Sequence, residues 1–259
     1  MLRHLHTILK CPLYGINMHR EYHTWHSPHL GRDMELLLFG RSGTRVIVFP
    51  TRVGRFYDYE DWGLIESLRD KIERGWLQLC CLDSIDAESF YCDWCPPRDR
   101  IIRHKQYENY ILNEVIPFTH DINPGSALIA HGCSMGAYHA VNIALRHPRL
   151  FCRVVAFSGR YDLTRGVGSF RDLLDGYYDE DVYFHNPSHF VPNITDPELL
   201  EMMRRMHLTI VIGEDDAFLE NNLHFRDVLY DKGIHPSFYI WSGEAHRARF
   251  WREMLTCIF

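Results

Sequence analysis

Apolar positions along the chain alternate between two rhythms. Short continuous apolar runs, of the kind carried by strands buried on both faces, occupy residues 34–39, 45–49, 77–82, 127–130, 153–157, 208–212 and 237–241. Segments of helical spacing lie between or after them at 61–74, 107–116, 135–146, 218–230 and 249–257. In the first of these, Leu64, Ile65, Leu68 and Ile72 share a face and Gly75 supplies a stop; His147-Pro148 and Lys232-Gly233 close two others. Gly40-Arg41-Ser42-Gly43 is a turn composition, so the first two strands are expected to form an antiparallel hairpin. Strands alternating with helices predict an α/β fold: a mainly parallel central sheet flanked by helices on both faces.

One stretch breaks the rhythm. Residues 159–205 are too long for a single crossover helix and rich in aromatics and acids, among them Tyr161, Phe170, Tyr177, Tyr178, Tyr183, Phe184 and Phe190. It is expected to form a small cap-like insertion over the carboxyl edge of the sheet, where open α/β folds bind ligands. Neither a linker nor a repeat divides the chain, so residues 1–259 are expected to form one domain.

Composition narrows the class. A chain 46% hydrophobic and 24% charged is globular, and a net charge of −6 argues against a nucleic-acid partner. No apolar run approaches the roughly 20 residues needed to span a bilayer. Met1 to His6 carry no apolar leader segment. The eight cysteines are scattered, and Cys80 and Cys81 face opposite sides of one strand. Reduced thiols and a cytoplasmic location are therefore expected.

The chemistry-bearing motif is Gly132-Cys133-Ser134-Met135-Gly136, between the strand ending in Ala130-His131 and the helix opening at Met135. Passing from strand to helix in so few residues forces a tight turn. Glycines two positions either side leave room for the crossing chains, and the serine oxygen is lifted toward the exposed N–H groups of the helix start. A serine hydroxyl needs a general base, and that base needs orienting. Both follow in the required order, each just past a strand. Gly213-Glu214-Asp215-Asp216 places carboxylates there, with Asp216 favoured by its offset and Asp215 and Glu214 as alternatives. Ser242-Gly243-Glu244-Ala245-His246 places an imidazole. An oxyanion would be held by the N–H of Met135 and by one from the loop after the strand at 45–49. Pro50 has no N–H, so Arg52 is the expected donor, with Val53 next. Arg52 and Arg55 are also candidates to meet an anionic substrate, His139 is expected to be packed or at the surface, and His131 is a candidate to shape the pocket.

These residues resemble the α/β-hydrolase superfamily, and within it the small esterases of the esterase D and polyhydroxybutyrate-depolymerase-like group. The resemblance rests on Phe49-Pro50-Thr51 with Gly54-Arg55, on Gly132 to Gly136, and on His147-Pro148 with Leu150-Phe151. It continues through Ser158-Gly159, Gly213 to Asp216, and Gly243 to His246 with Trp251 beyond, covering residue 35 onward in order. It implies the α/β-hydrolase fold with Ser134 as nucleophile, His246 as base and Asp216 as orienting acid. It implies hydrolysis of small-molecule carboxylic esters through an acyl-enzyme, with no metal or cofactor. The chain departs from the pattern at Cys133, where many relatives have histidine, at Pro50-Thr51 in place of a His-Gly signature, and at Arg247-Ala248 where Asp-Trp is common.

Other readings remain to be weighed. The same triad would serve an acyltransferase or a thioesterase, and a binding protein on this fold would need a broken triad. A homodimer is compatible with the sequence, and no membrane partner is expected. The histidines of His23-Thr24-Trp25-His26-Ser27-Pro28-His29 are set aside as metal ligands because on a strand they face opposite sides. Cys92-Asp93-Trp94-Cys95 precedes Pro96-Pro97 rather than a redox-site helix, and is read as a loop cysteine pair.

Overall fold

The computed structural model describes residues 18–125 and 127–259; the terminal stretch read above for a leader lies outside them. Eight strands build one sheet: β1 (Arg20–Ser27), β2 (Arg32–Phe39), β3 (Thr44–Phe49), β4 (Leu77–Leu82), β5 (Leu128–Cys133), β6 (Arg153–Phe157), β7 (His207–Gly213) and β8 (Ser237–Trp241). Their spatial order is β1-β2-β4-β3-β5-β6-β7-β8. From β4 onward across the sheet all neighbours are parallel, while β2 pairs antiparallel with both β1 and β4.

The expected hairpin between residues 34–39 and 45–49 does not form, because β4 lies between β2 and β3. The turn that was to close it instead carries the chain across the end of β4. Gly43 has φ +99°, and a Cβ there would stand 2.3 Å from the Trp76 carbonyl carbon; Thr44 N–H donates to Trp76 O at 2.8 Å. The hairpin belongs to β1 and β2. Strand β1 escaped the hydrophobic pattern because, as an edge strand, it presents Arg20, Glu21, His23 and His26 between its apolar positions. Histidines in and just after it meet carboxylates: His26 Nδ1 lies 2.9 Å from Asp33 and, in the following turn, His29 Nδ1 lies 2.6 Å from Glu114.

The helical segments follow their predicted faces with shifted bounds. The run at 61–74 is three short pieces, Asp58–Asp61, Leu64–Ser67 and Arg69–Glu73, broken by Gly63 at φ +70°. Leu64, Ile65, Leu68 and Ile72 are nonetheless all buried. The run at 107–116 is part of a longer one: Pro97–Tyr110, a wider π turn at Ile111–Val115, then Ile116–Ile122. Pro117 cannot donate to the carbonyl four residues back, and the wider turn sits just before it.

The two-residue period of the strands sends alternate side chains to two cores. Leu36, Leu38, Ile47, Phe49, Cys80 and Ala130 pack with Ala137, Val141 and Phe225 on one face. Leu37, Phe39, Val46, Val48, Cys81 and Ile129 pack with Leu64, Ile65, Trp251 and Leu255 on the other. Cys80 and Cys81 thus lie on opposite faces, as expected. Both are free and buried, but Cys92 and Cys95 are joined in a disulfide, which corrects the expectation of reduced thiols throughout. No helix among the described residues is long and apolar enough to cross a membrane.

The stretch at 159–205 carries short helices at Glu180–Phe184, Pro187–Phe190 and Pro197–Arg205, two of them capped by Asp179 and Asp196. Its aromatics divide. Tyr161 and Phe190 enter the core on the side of the Met135–Arg146 helix, while Arg160, Phe170 and Leu173 line the pocket over the sheet edge.

Candidate active site

The sharp turn after β5 is built from the clearance its glycines leave. A Cβ on Gly132 would lie 2.3 Å from the Gly136 carbonyl, and one on Gly136 would lie 2.3 Å from Phe49 O in β3. Only glycine lets the returning helix cross the strand so closely. Between them Ser134 takes φ +56°, ψ −119°, and its N–H donates to Phe157 O at 2.8 Å, tying the turn to β6. The Met135–Arg146 helix starts at the next residue.

Two further strand ends supply partners. A Cβ on Gly213, at the end of β7, would sit 2.2 Å from Glu244 O, so the loops after β7 and β8 press together. This approach brings Asp216 and His246 into contact: Nδ1 of His246 lies 2.8 Å from Asp216 Oδ2, and Nε2 lies 2.9 Å from Ser134 Oγ. The Asp216 side chain is 2% exposed, and its second oxygen accepts the Phe218 N–H at 2.9 Å. The carboxylate therefore has one oxygen for the loop and one for the imidazole. The two alternatives do other things. Asp215 is exposed, and Glu214 accepts from Ser242 Oγ and from the Gly243 N–H, stapling the loop. Of the three candidate acids, Asp216 is the one that reaches His246. Trp251 packs edge-on against the His246 ring at 5.7 Å, and its indole N–H donates to Ser158 Oγ at 3.2 Å.

The loop after β3 separates the two candidate backbone donors. Val53 donates its N–H to Asp86 Oδ2 at 3.0 Å, so that donor is occupied. The N–H groups of Arg52 and Met135 have no acceptor within the described protein, and both residues line the same pocket as Ser134. The pocket, of about 300 Å³, is completed by Thr51, Tyr91, Ser158, Arg160, Phe170, Leu173, Phe218, His246 and Trp251. Four of the five non-glycine residues with positive φ among the described residues gather at the same sheet edge: Val53 after β3, Ser134 after β5, Ser158 after β6 and Ala245 after β8, with Asp175 the exception. Such strain persists where the surrounding structure over-determines it.

Two expectations change, those for Arg55 and His131. Arg55 is not part of the pocket lining and pairs instead with Asp83 and Glu35, each at 2.7 Å. His131 does not line the pocket; it is sealed beneath the sheet edge, with Nδ1 2.7 Å from Val155 O, and burial lowers its pKa to about 4. Cys133 points into the core, accepts from Tyr59 Oη at 3.0 Å, and has its thiol pushed up to about 12 by burial, so it does not compete as a nucleophile. His139 is packed, as expected, with Nε2 3.1 Å from Asp86. Sequence reasoning did not single out Asp86, Tyr91 or Arg160 for the site. None lies in a recognisable motif, and only the fold brings them to the pocket or its supporting loop.

The architecture is shared widely among solved esterase structures. A ferulic acid esterase aligns with a TM-score of 0.72 at 16% identity, over 94% of this chain and 97% of that one. The S-formylglutathione hydrolase of Agrobacterium tumefaciens aligns with a TM-score of 0.73 at 18% identity, over 92% of each chain. That of Staphylococcus aureus gives 0.70 at 16% identity, over 93% of this chain and 97% of the other. At these identities the likeness establishes the fold, that of the α/β hydrolases. A search of curated protein sequences found no match. Residues 79–232, more than half of the chain, match the Esterase family, described as "Putative esterase", and the chain belongs to that family.

Proposed function

We propose that this esterase is a serine carboxylic-ester hydrolase working through an acyl-enzyme, with Ser134 as nucleophile, His246 as general base and Asp216 as its orienting acid. The observation that carries the reading is the unbroken chain of short contacts from Asp216 Oδ2 through His246 to Ser134 Oγ, at 2.8 and 2.9 Å. With Nδ1–H donating to Asp216, Nε2 presents its lone pair to the serine hydroxyl. Ser134 Oγ attacks the ester carbonyl as its proton passes to His246 Nε2. The carbonyl oxygen becomes an oxyanion, which the N–H groups of Met135 and Arg52 are free to receive. Collapse breaks the bond to the alcohol, which leaves with the proton from His246. Water then attacks the acyl-enzyme, again with His246 as base, and releases the acid and Ser134.

Phe170, Leu173, Phe218 and Trp251 give the pocket apolar walls, suited to the carbon skeleton of a small ester. The same reading keeps the enzyme in the cytoplasm, supported by the free thiols of Cys80, Cys81 and Cys133; the Cys92–Cys95 disulfide stands on the other side. Ser134→Ala should lower hydrolysis of 4-nitrophenyl butyrate by at least about a thousandfold and abolish labelling by a fluorophosphonate probe, with an unchanged circular dichroism spectrum. A variant that kept most of its activity would overturn the nucleophile assignment.

A further inference from the structure

The pocket carries an electrostatic asymmetry that ester hydrolysis alone does not need. Among the described residues its lining includes two guanidinium groups, Arg52 and Arg160, and no carboxylate. Arg160 lies two residues past Ser158 at the end of β6 and is only 6% exposed. A buried arginine is ordinarily neutralised by an acid. Here it is held by backbone carbonyls instead: Nε donates to Asp162 O at 3.1 Å, and Nη2 to Leu163 O at 3.2 Å, Arg165 O at 2.6 Å and Arg171 O at 2.9 Å. Carbonyls fix the group's position, and Asp162 and Asp172 act on its charge only from beyond ion-pair distance.

Nη1 is the atom left over. It has no acceptor among the described residues, yet it is not among the buried atoms sealed without a partner, so it is accessible, and Arg160 is part of the pocket lining. The nearby acids are committed elsewhere. Asp162 binds the Thr164 N–H and hydroxyl and lies 3.3 Å from His189 Nε2, while Asp172 accepts the N–H groups of Leu174 and Gly176. The Phe218 ring lies 5.7 Å from the guanidinium. Across the pocket Arg52 lies 5.6 Å above the Tyr91 ring and forms no ion pair with any described acid, in contrast to Arg55 three residues on.

We propose that Arg160, assisted by Arg52, forms a subsite for a carboxylate carried by the substrate, so that the preferred esters are monoanionic: half-esters of dicarboxylic acids, or hydroxy acids acylated on the hydroxyl with their carboxylate free. The inference rests on the esterase reading and deepens it. A carboxylate at Nη1 would gain a charge-assisted bond in a site walled by Phe170, Phe218 and Trp251, where water is a weak competitor. The single open N–H edge of Arg160 suits a monoanion better than a phosphate dianion, which would leave oxygens without donors.

The test compares charged and neutral isosteres. On the acyl side the pair is 4-nitrophenyl hemiglutarate and its methyl-capped diester; on the alcohol side it is butyryloxyacetate and its methyl ester. The wild type should favour the charged member of at least one pair by about tenfold or more in kcat/KM, chiefly through KM. Arg160→Met should bring that ratio near unity, and Arg160→Lys should restore part of it. Because each ratio is taken within one protein, a general loss of activity cancels, and fluorophosphonate titration counts the folded sites. Hydrolysis of the neutral esters with no charged preference would overturn this inference and leave the esterase reading intact, as would a preference that survives in Arg160→Met. If Ser134 takes no label and neither member of either pair is hydrolysed, the esterase reading falls and this inference falls with it.

Discussion

Val53 donates its backbone N–H to Asp86 at 3.0 Å, and the same carboxylate lies 3.1 Å from His139 Nε2. A 1%-exposed acid thereby ties the loop after β3, strained at Val53 with φ +54°, to the helix that begins at Met135. The bond takes Val53 out of consideration as an oxyanion donor and leaves the neighbouring Arg52 N–H unclaimed. Asp86 supports the proposed oxyanion site without touching the substrate. Asp86→Ala should reduce kcat by about ten- to a hundredfold, the range expected when a donor loses its alignment. Asp86→Asn should be milder, since an amide oxygen still accepts from Val53 and its NH₂ can donate to His139. Steady-state kinetics of the two variants check this; equal losses would assign the effect to packing.

The elbow makes a sharper prediction about stability. At Gly136 an added methyl would meet Phe49 O at 2.3 Å and Pro50 O at 2.7 Å, both backbone atoms of the neighbouring strand end. No side-chain rotation relieves such a clash, so Gly136→Ala must displace either the helix or β3. We expect a loss of more than about 3 kcal/mol, and poor recovery of soluble protein. Gly168→Ala is the control, at a glycine whose added Cβ meets nothing within 4 Å, although its φ of +55° still carries backbone strain. Urea denaturation of both variants measures the difference.

The three acids after β7 should separate cleanly in kinetics. Asp216→Asn keeps the shape of the side chain but not its charge, and favours the wrong imidazole tautomer, so kcat should fall by about three to four orders of magnitude. Asp215→Asn should stay within about twofold, because that side chain is exposed. Glu214→Gln removes charge from the staple to Ser242 and Gly243 and should have a small effect on activity. A large loss at Asp215 with none at Asp216 would refute the assignment of the acid.

How much of this was legible beforehand follows from the range of the interactions concerned. The order of Ser134, Asp216 and His246 could be read because each sits immediately after an apolar run, and local pattern alone fixes a strand end. The bounds of the Met135–Arg146 helix and of β6 and β8 matched the expected residues for the same reason. Pairing was not legible in that way. That β4 slots between β2 and β3 depends on a non-local ladder, visible in sequence only as an ambiguous turn at Gly40 to Gly43. Arg55 and Arg160 show the same limit in side chains. Both are arginines near a strand end, but Asp83 and Glu35 pair with one, while no described acid forms an ion pair with the other. The partners of Arg55 stand 20 and 28 positions away, and only the folded chain assembles that difference.

Acid should destabilise the protein from about pH 6.5 downward. Burial lowers the pKa of His131 and of His185 to about 4, and lowers His104 well below its ordinary value. In the unfolded chain these rings titrate near 6.5, so between about pH 6.5 and 4 the unfolded state binds more protons than the native state. Stability supplied by the neutral rings is therefore full above pH 6.5 and is lost progressively as the pH falls toward 4. Glu108 extends the loss. Despite its burial, His147 and Arg146 hold its carboxyl down to about 2, so its contribution, full above the unfolded value, drains away as the pH drops from about 4 toward 2. The urea midpoint should hold steady from pH 8 to 7 and then fall markedly by pH 4.5. His131→Phe, which removes one titrating ring from the apolar face between Phe157 and Phe259, should flatten that slope even if it lowers stability at pH 7. A wild-type midpoint that did not move between pH 7 and 4.5 would mean the buried rings take up their protons without cost, contrary to their burial.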